Sequence, residues 1–138
     1  MTNARTDRPQ PIHFQRSNLE EQLARLRADA PIRAHGRDSL TLIRDPGFDL
    51  ILVALNAGGQ LPEHKAPGAI SVLVLDGRIA FSANGERLEL GRHDLVTLPA
   101  KVLHSVQALE ESAILITIAA PVTHTDPIGL EGERKAHE

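Results

Sequence analysis

Histidine is the residue type in this chain that is best suited to chemistry. The 138 residues include seven His but no Cys, Tyr or Trp. Without Cys the chain has no disulfide framework, no thiolate metal site and no Cys nucleophile, and without Tyr it has no tyrosine general acid. Imidazole can bind a divalent metal or exchange hydrogen bonds with a small ligand. The chemistry to expect is therefore that of histidines which the fold brings together.

Two stretches place histidine beside the turn residues of a β-rich chain. Residues 58–66 begin with a Gly-Gly turn, contain His64 and are followed by the Gly77 turn. Residues 93–104 end in His104. Motifs for other chemistry are missing, since no serine lies in a Gly-x-Ser-x-Gly elbow and no Gly-rich loop continues into Gly-Lys-Ser/Thr. These two stretches are the candidates for a functional site.

The elements that position these histidines are predicted to be strands. After Pro31 the hydrophobic pattern has the period of two that is typical of strands, and Asn84-Gly85 is the strongest hairpin signal. Short strands separated by Gly and Pro turns predict a sandwich or barrel. The strands are expected near 39–44, 48–56, 69–76, 78–83, 86–90, 94–99, 103–109 and 112–119.

A short helix is predicted before the strands. Ser17 or Asn18 can cap its start, and it should end near Asp29 because Pro31 disfavours helical geometry at the residue before it. One apolar stripe along the helix consists of Leu19, Leu23 and Leu26. We expect an N-terminal arm and helix in 1–37, a single barrel domain in 38–120 and a flexible tail in 121–138.

Over about residues 39–119 the sequence resembles the cupin superfamily of small jelly-roll barrels. The first cupin motif is Gly, five residues, His, one, His, three or four, Glu, six, Gly, and Gly58, His64 and Gly77 match it. The second is Gly, five residues, Pro, one, Gly, two, His, three, Asn, and Pro99 and His104 match it. The resemblance implies an all-β fold, a single RmlC-like cupin barrel with a short N-terminal helix.

The metal motifs of this family are degenerate in the chain. In typical cupins the two His and the Glu of the first motif and the His of the second motif hold a divalent metal. Here Ala66 stands at the second His position and Ile70 at the Glu position. His93 and Lys101 stand at the Gly positions of the second motif, and Ala108 stands at the Asn position.

His64 and His104 are the candidate ligands that remain. Two imidazoles are fewer than the three protein ligands of a catalytic zinc site, so a metal such as Zn, Ni or Fe would be held weakly, with water completing its coordination. Without a metal, the two His together with Ala66 and Ile70 would line a mostly apolar pocket for a small ligand. A further alternative is a pair of interior histidines with no present role.

The neighbouring charged residues are not expected to take part in the site. Glu63 and Lys65 should point away from His64 because side chains alternate along a strand. Arg78 should likewise be a solvated surface charge. His93 is the only other histidine to check as an unexpected third ligand.

The function predicted from these residues is binding or sensing of a small molecule in the barrel cavity, with a weakly held divalent metal as an option. Sugar-epimerase cupins need a Tyr acid, and dioxygenase and decarboxylase cupins rely on a three-His-one-Glu set that is half missing here. One alternative is a metal-dependent enzyme in which His64, His104 and water hold a Lewis-acidic metal. Another is a non-catalytic, structural dimeric barrel. The sequence leaves open whether the chain is an enzyme.

Charge and hydropathy restrict the partners. The formal net charge is −3 and no basic stripe is present, which argues against nucleic-acid binding. No apolar run approaches the roughly 20 residues of a membrane helix, and the N-terminus lacks the apolar region of a signal peptide. We therefore expect a cytoplasmic protein without nucleic-acid or membrane partners.

Two predicted strands are apolar on both faces. Residues 50–55 and 70–75 carry apolar side chains at nearly every position. The outer face of such a strand must be covered, either by the 18–29 helix or by a second copy of the chain. Because open-edged small barrels often pair through such faces, a homodimer is expected.

Overall fold

The computed structural model describes residues 14–29 and 36–121. Helix α1 spans Leu19–Ala28 and begins where the sequence predicts. The Asn18 side chain accepts a hydrogen bond of 2.9 Å from the amide of Glu21, which satisfies one of the free donors at the helix start. The predictions for the N-terminal arm and for the C-terminal tail lie outside the described residues, as do His13, His35, His124 and His137.

In the described part of the chain nine strands follow the helix, and eight of them lie within two residues of their predicted bounds. Their bounds are β1 Arg37–Arg44, β2 Phe48–Leu55, β3 Gln60–His64, β4 Ile70–Asp76, β5 Arg78–Ala83, β6 Glu86–Gly91, β7 Leu95–Leu98, β8 His104–Ala108 and β9 Ser112–Ala119. Asn84 and Gly85 both have positive φ in the β5–β6 hairpin, as a two-residue turn of this sequence requires.

Strand β3 is the element that the sequence prediction missed. It contains Pro62, which has no N–H to donate and therefore argues against a strand in the middle of a sheet. The structure resolves this conflict by placing β3 at the edge of its sheet, where only one side of the strand must pair. The pairing with β8 is also irregular, with a register shift between Leu61 and His64.

The strands form two antiparallel sheets. One sheet has the order β1-β2-β9-β4-β7 and the other has the order β3-β8-β5-β6. The main core lies between them and includes Val53, Val72, Phe81 and Ile114, each at most 3% exposed. This is the all-β jelly-roll architecture that the motifs imply, and it leaves the start of β4 and the end of β3 on the same side of the barrel interior.

Helix α1 covers part of the outer face of the five-stranded sheet. Leu26 packs with Leu52 and Ala54 of β2 in a second apolar cluster. Arg27 forms ion pairs with Asp76 at 3.2 Å and with Glu111 at 3.3 Å, which join the helix to the ends of β4 and of the β8–β9 turn. The helix thus covers part of the outer face of β2, the strand that is apolar on both faces. The homodimer stays a prediction.

No helix in the described part of the chain has the length and apolar character needed to cross a membrane.

The docking of α1 can be tested at Leu26, which is 4% exposed. Replacing Leu26 with Ala should lower the free energy of unfolding by about 2–4 kcal/mol, because it removes a buried side chain that the surrounding sheet cannot fully replace. Urea denaturation measures this change. Leu95→Ala is the control, because Leu95 is 60% exposed on the same sheet and should cost less than about 0.5 kcal/mol. Equal effects of the two substitutions would contradict the docking.

Candidate functional site

A cavity of about 260 Å³ opens between the two sheets. Most of its wall is aliphatic, and the described lining contains no Asp or Glu. The aliphatic lining residues are Ile51, Val53, Leu61, Ala66, Pro67, Ile70, Val72, Val106, Ile116 and Ile118. The four polar lining residues are Ser39, His64, Lys65 and His104. An apolar cavity with a few convergent polar groups is the usual form of a small-molecule site.

His64 and His104 face each other across the β3–β8 pair. They are direct partners in the strand register, and their ring centroids lie 4.3 Å apart with the ring planes at 58°. His104 is only 4% exposed and stacks against Phe81 of β5 with a centroid distance of 5.9 Å. His64 is solvent-exposed. His104 therefore lies in the interior of the cavity, and His64 lies at its rim.

Both imidazoles are oriented by the backbone in the same way. Nδ1 of His64 lies 2.7 Å from the carbonyl oxygen of Pro62, and Nδ1 of His104 lies 2.9 Å from that of Val102. A carbonyl can only accept, so each Nδ1 carries the proton and donates it. In the neutral rings Nε2 is then the nitrogen that can accept a hydrogen bond or bind a metal.

The donor set does not fit the four-ligand metal centre of typical cupins. Ala66 and Ile70, which stand at the other two ligand positions, line the cavity and are 8% and 5% exposed. Among the described residues no three His, Cys, Asp or Glu side chains are grouped so as to hold a metal ion. Two imidazoles alone leave most of the coordination of a divalent metal to water or to a ligand.

Lys65 is exposed to solvent and also lines the cavity, a position that the sequence analysis did not predict. Strand alternation does not apply to this residue, because β3 ends at His64 and Lys65 belongs to the connection to β4. Ser39 of β1 is a further lining residue that the sequence analysis did not identify, and no motif marks it.

The other charged residues lie where they were expected. Glu63 lies in a groove on the far side of β3 together with Arg87, outside the cavity lining. Arg78 is exposed and pairs with Glu89. Hydrogen bonds from Arg87 and Arg78 hold the pKa of the Glu89 carboxyl below its ordinary value. His93 is exposed in the β6–β7 turn and does not line the cavity, so it is not a third ligand there.

Comparison with known proteins agrees with this architecture. The family model described as the cupin domain matches residues 51–119, which is half of the chain. The chain belongs to the cupin family. The matched segment includes both cavity histidines, and the cupin barrel continues beyond it to β1, which supplies Ser39.

Solved cupin structures resemble the chain at low sequence identity. An RmlC-like cupin from Desulfovibrio desulfuricans is 22% identical with a TM-score of 0.65, and the match covers 80% of this chain and 100% of that one. A conserved protein of unknown function from Streptococcus pyogenes is 19% identical with a TM-score of 0.66, covering 88% and 100%. KdgF from Halomonas is 20% identical with a TM-score of 0.57, covering 64% and 82%. No curated protein matches the chain. These likenesses establish the fold.

The loops that flank β7 carry backbone strain at two positions. His93 and Lys101, which stand where the second cupin motif has Gly, have φ of 76° and 67°. Left-handed backbone is unfavourable for residues with a Cβ. The Lys101 amide donates a 2.9 Å hydrogen bond to the carbonyl of Ala66, so this strained loop is joined to the edge of the cavity.

Replacing Lys101 with Gly should therefore stabilise the fold. We expect the free energy of unfolding to rise by about 0.5–1 kcal/mol, because Gly adopts positive φ without steric cost. Chemical denaturation measures the change. The neighbouring Ala100 does not have positive φ, so Ala100→Gly is the matched control and should be neutral or destabilising. A loss of stability in Lys101→Gly as large as that in the control would contradict the strain.

Proposed function

We propose that this cupin binds a small molecule in the barrel cavity and that His64 and His104 contact it. The observation that carries the proposal is the pair of imidazoles, each with Nδ1 tied to a backbone carbonyl, in an otherwise aliphatic cavity. A pair fixed in this way offers two Nε2 atoms whose positions are set before a ligand arrives. Such pre-organisation lowers the entropy cost of binding.

The lining also indicates what kind of ligand would fit. His104 is buried, and a buried polar atom without a partner is costly, so a ligand that donates a hydrogen bond to Nε2 of His104 would satisfy it. The aliphatic walls would gain from contact with the apolar part of the same molecule. A volume of about 260 Å³ corresponds to roughly nine water-sized atoms, given about 30 Å³ for each water in the liquid.

A thermal-shift screen of small metabolites tests this proposal. At least one compound should raise the melting temperature of the wild type, because a ligand that binds only the folded state stabilises it. The shift should disappear in His64→Ala and persist in His93→Ala, which removes an exposed histidine outside the cavity lining. A broad screen without any stabilising compound, or a shift that survives His64→Ala, would contradict the proposal.

The second candidate is a weakly held divalent metal, and with it a metal-dependent cupin enzyme. The observation in its favour is the Nδ1–carbonyl hydrogen bond of each ring, since metal-binding histidines usually donate their other N–H in this way. The lack of a third protein ligand among the described residues argues against it.

Elemental analysis of untagged protein distinguishes the two candidates. We expect substoichiometric metal after purification, because two imidazoles hold Zn²⁺, Ni²⁺ or Fe²⁺ weakly. Calorimetric titration with Zn²⁺ should show at most weak binding that His64→Ala removes and His93→Ala retains. Near-stoichiometric metal in the purified protein would instead establish the second candidate. A cavity that takes up neither a metabolite nor a metal would leave the structural barrel as the remaining interpretation.

A further inference from the structure

We propose that the cavity selects an anionic ligand and that Lys65 recognises its negative charge at the rim. The inference rests on the proposed function, because it names the class of molecule that the same cavity would take. Lys65 lines the cavity together with His64, and both are exposed to solvent. The ligand would place its charged group beside Lys65 and its apolar body against the aliphatic walls.

The charge distribution of the lining supports an anion. Lys65 is the only lining residue with a permanent charge, and no Asp or Glu of the described chain lines the cavity to neutralise it. Within the described residues no salt bridge includes Lys65 either, whereas Arg27, Arg78 and Arg87 all pair with carboxylates. The Lys65 ammonium is thus available to a ligand. A single positive charge at the opening of a low-dielectric cavity attracts anions and disfavours cations.

The backbone around Lys65 is fixed on both sides. The preceding residue, His64, is paired with His104 in β8, and its ring is hydrogen-bonded to the Pro62 carbonyl. The following residue, Ala66, is 8% exposed and accepts the hydrogen bond from the Lys101 amide. Lys65 therefore projects from a stretch held between two anchored residues. Its ammonium can reach a bound anion with less loss of entropy than a lysine on a free loop.

The aliphatic walls define the rest of the ligand. Ile51 and Ile116 come from the five-stranded sheet and Val106 from the four-stranded sheet, so both sides of the cavity are apolar. A carboxylate on a short aliphatic chain matches the charge at the rim and the apolar walls, and a hydroxyl group on that chain would supply the donor for Nε2 of His104. Hexanoate, a small molecule of eight non-hydrogen atoms, is a probe of this charge and this apolar chain alone.

The test compares three probes of the same chain length: hexanoate, hexan-1-ol and hexylammonium. Titration followed by NMR should show hexanoate binding to the wild type about two- to fivefold more tightly than hexan-1-ol, with hexylammonium weakest. An ion pair at a partly exposed site has about this strength. In Lys65→Gln the affinity for hexanoate should fall to that for hexan-1-ol, while hexan-1-ol is unaffected. Raising the salt concentration should reduce the advantage of hexanoate, since exposed charges are screened.

Arg92→Gln is the matched control. It removes one positive charge from the exposed β6–β7 turn. This turn is hydrogen-bonded to Val74 near the end of β4, whereas the cavity is lined by Ile70 at the start of β4, so the charge lies away from the cavity. This variant should keep the full preference for hexanoate. If Arg92→Gln reduces the preference as much as Lys65→Gln does, the effect comes from net charge and the inference is overturned.

The remaining outcomes separate this inference from the proposed function. If hexanoate and hexan-1-ol bind equally well and both are lost in Ile116→Phe, which narrows the cavity from a partly buried position, then the cavity binds ligands but does not select anions. That result overturns the inference and leaves the proposed function intact. If hexanoate does not bind at all, the inference is overturned, and the metabolite screen decides the proposed function independently.

Discussion

The register between β3 and β8 is the constraint on which the site depends. It makes His64 and His104 direct partners, so that their rings meet 4.3 Å apart. A shift of one residue in either strand would turn one of the two side chains to the opposite face of the sheet. The register is also set on an edge strand that contains a proline, where pairing is possible from one side only. The hydrogen bonds to the carbonyls of Pro62 and Val102 then fix the rings within that register.

The chemistry of the cavity follows from placing this polar pair in an aliphatic barrel. The sheets bury their inner faces to form the core, and the same faces continue into the cavity walls. In such surroundings a polar atom without a partner is costly, and an interaction with a ligand is correspondingly stronger than in water. Lys65 adds a charge at the rim, where solvent still stabilises it. The barrel thus combines an apolar interior, two oriented imidazoles and one cation.

Much of the fold could be predicted from the sequence because its signals are local. The alternating pattern and the Asn84-Gly85 turn determine most strands, and Asn18 determines the start of the helix. The spacing of the cupin motifs identified His64 and His104 as candidates for one site, although 40 positions separate them in the sequence. Strand β3 could not be predicted in this way, since Pro62 gives a local signal against a strand and only its position at the sheet edge makes it acceptable. The position of Lys65 in the cavity lining could not be predicted for a related reason, because alternation holds only while the strand continues.

The central claim is that a ligand binds in the barrel cavity and contacts both histidines. A crystal structure of the full chain with the strongest compound from the metabolite screen tests it most directly. The account predicts electron density for the compound inside the barrel, with polar atoms within hydrogen-bonding distance of Nε2 of His64 and of His104. Density for the compound elsewhere on the molecule, with only water in the cavity beside the two Nε2 atoms, would contradict it.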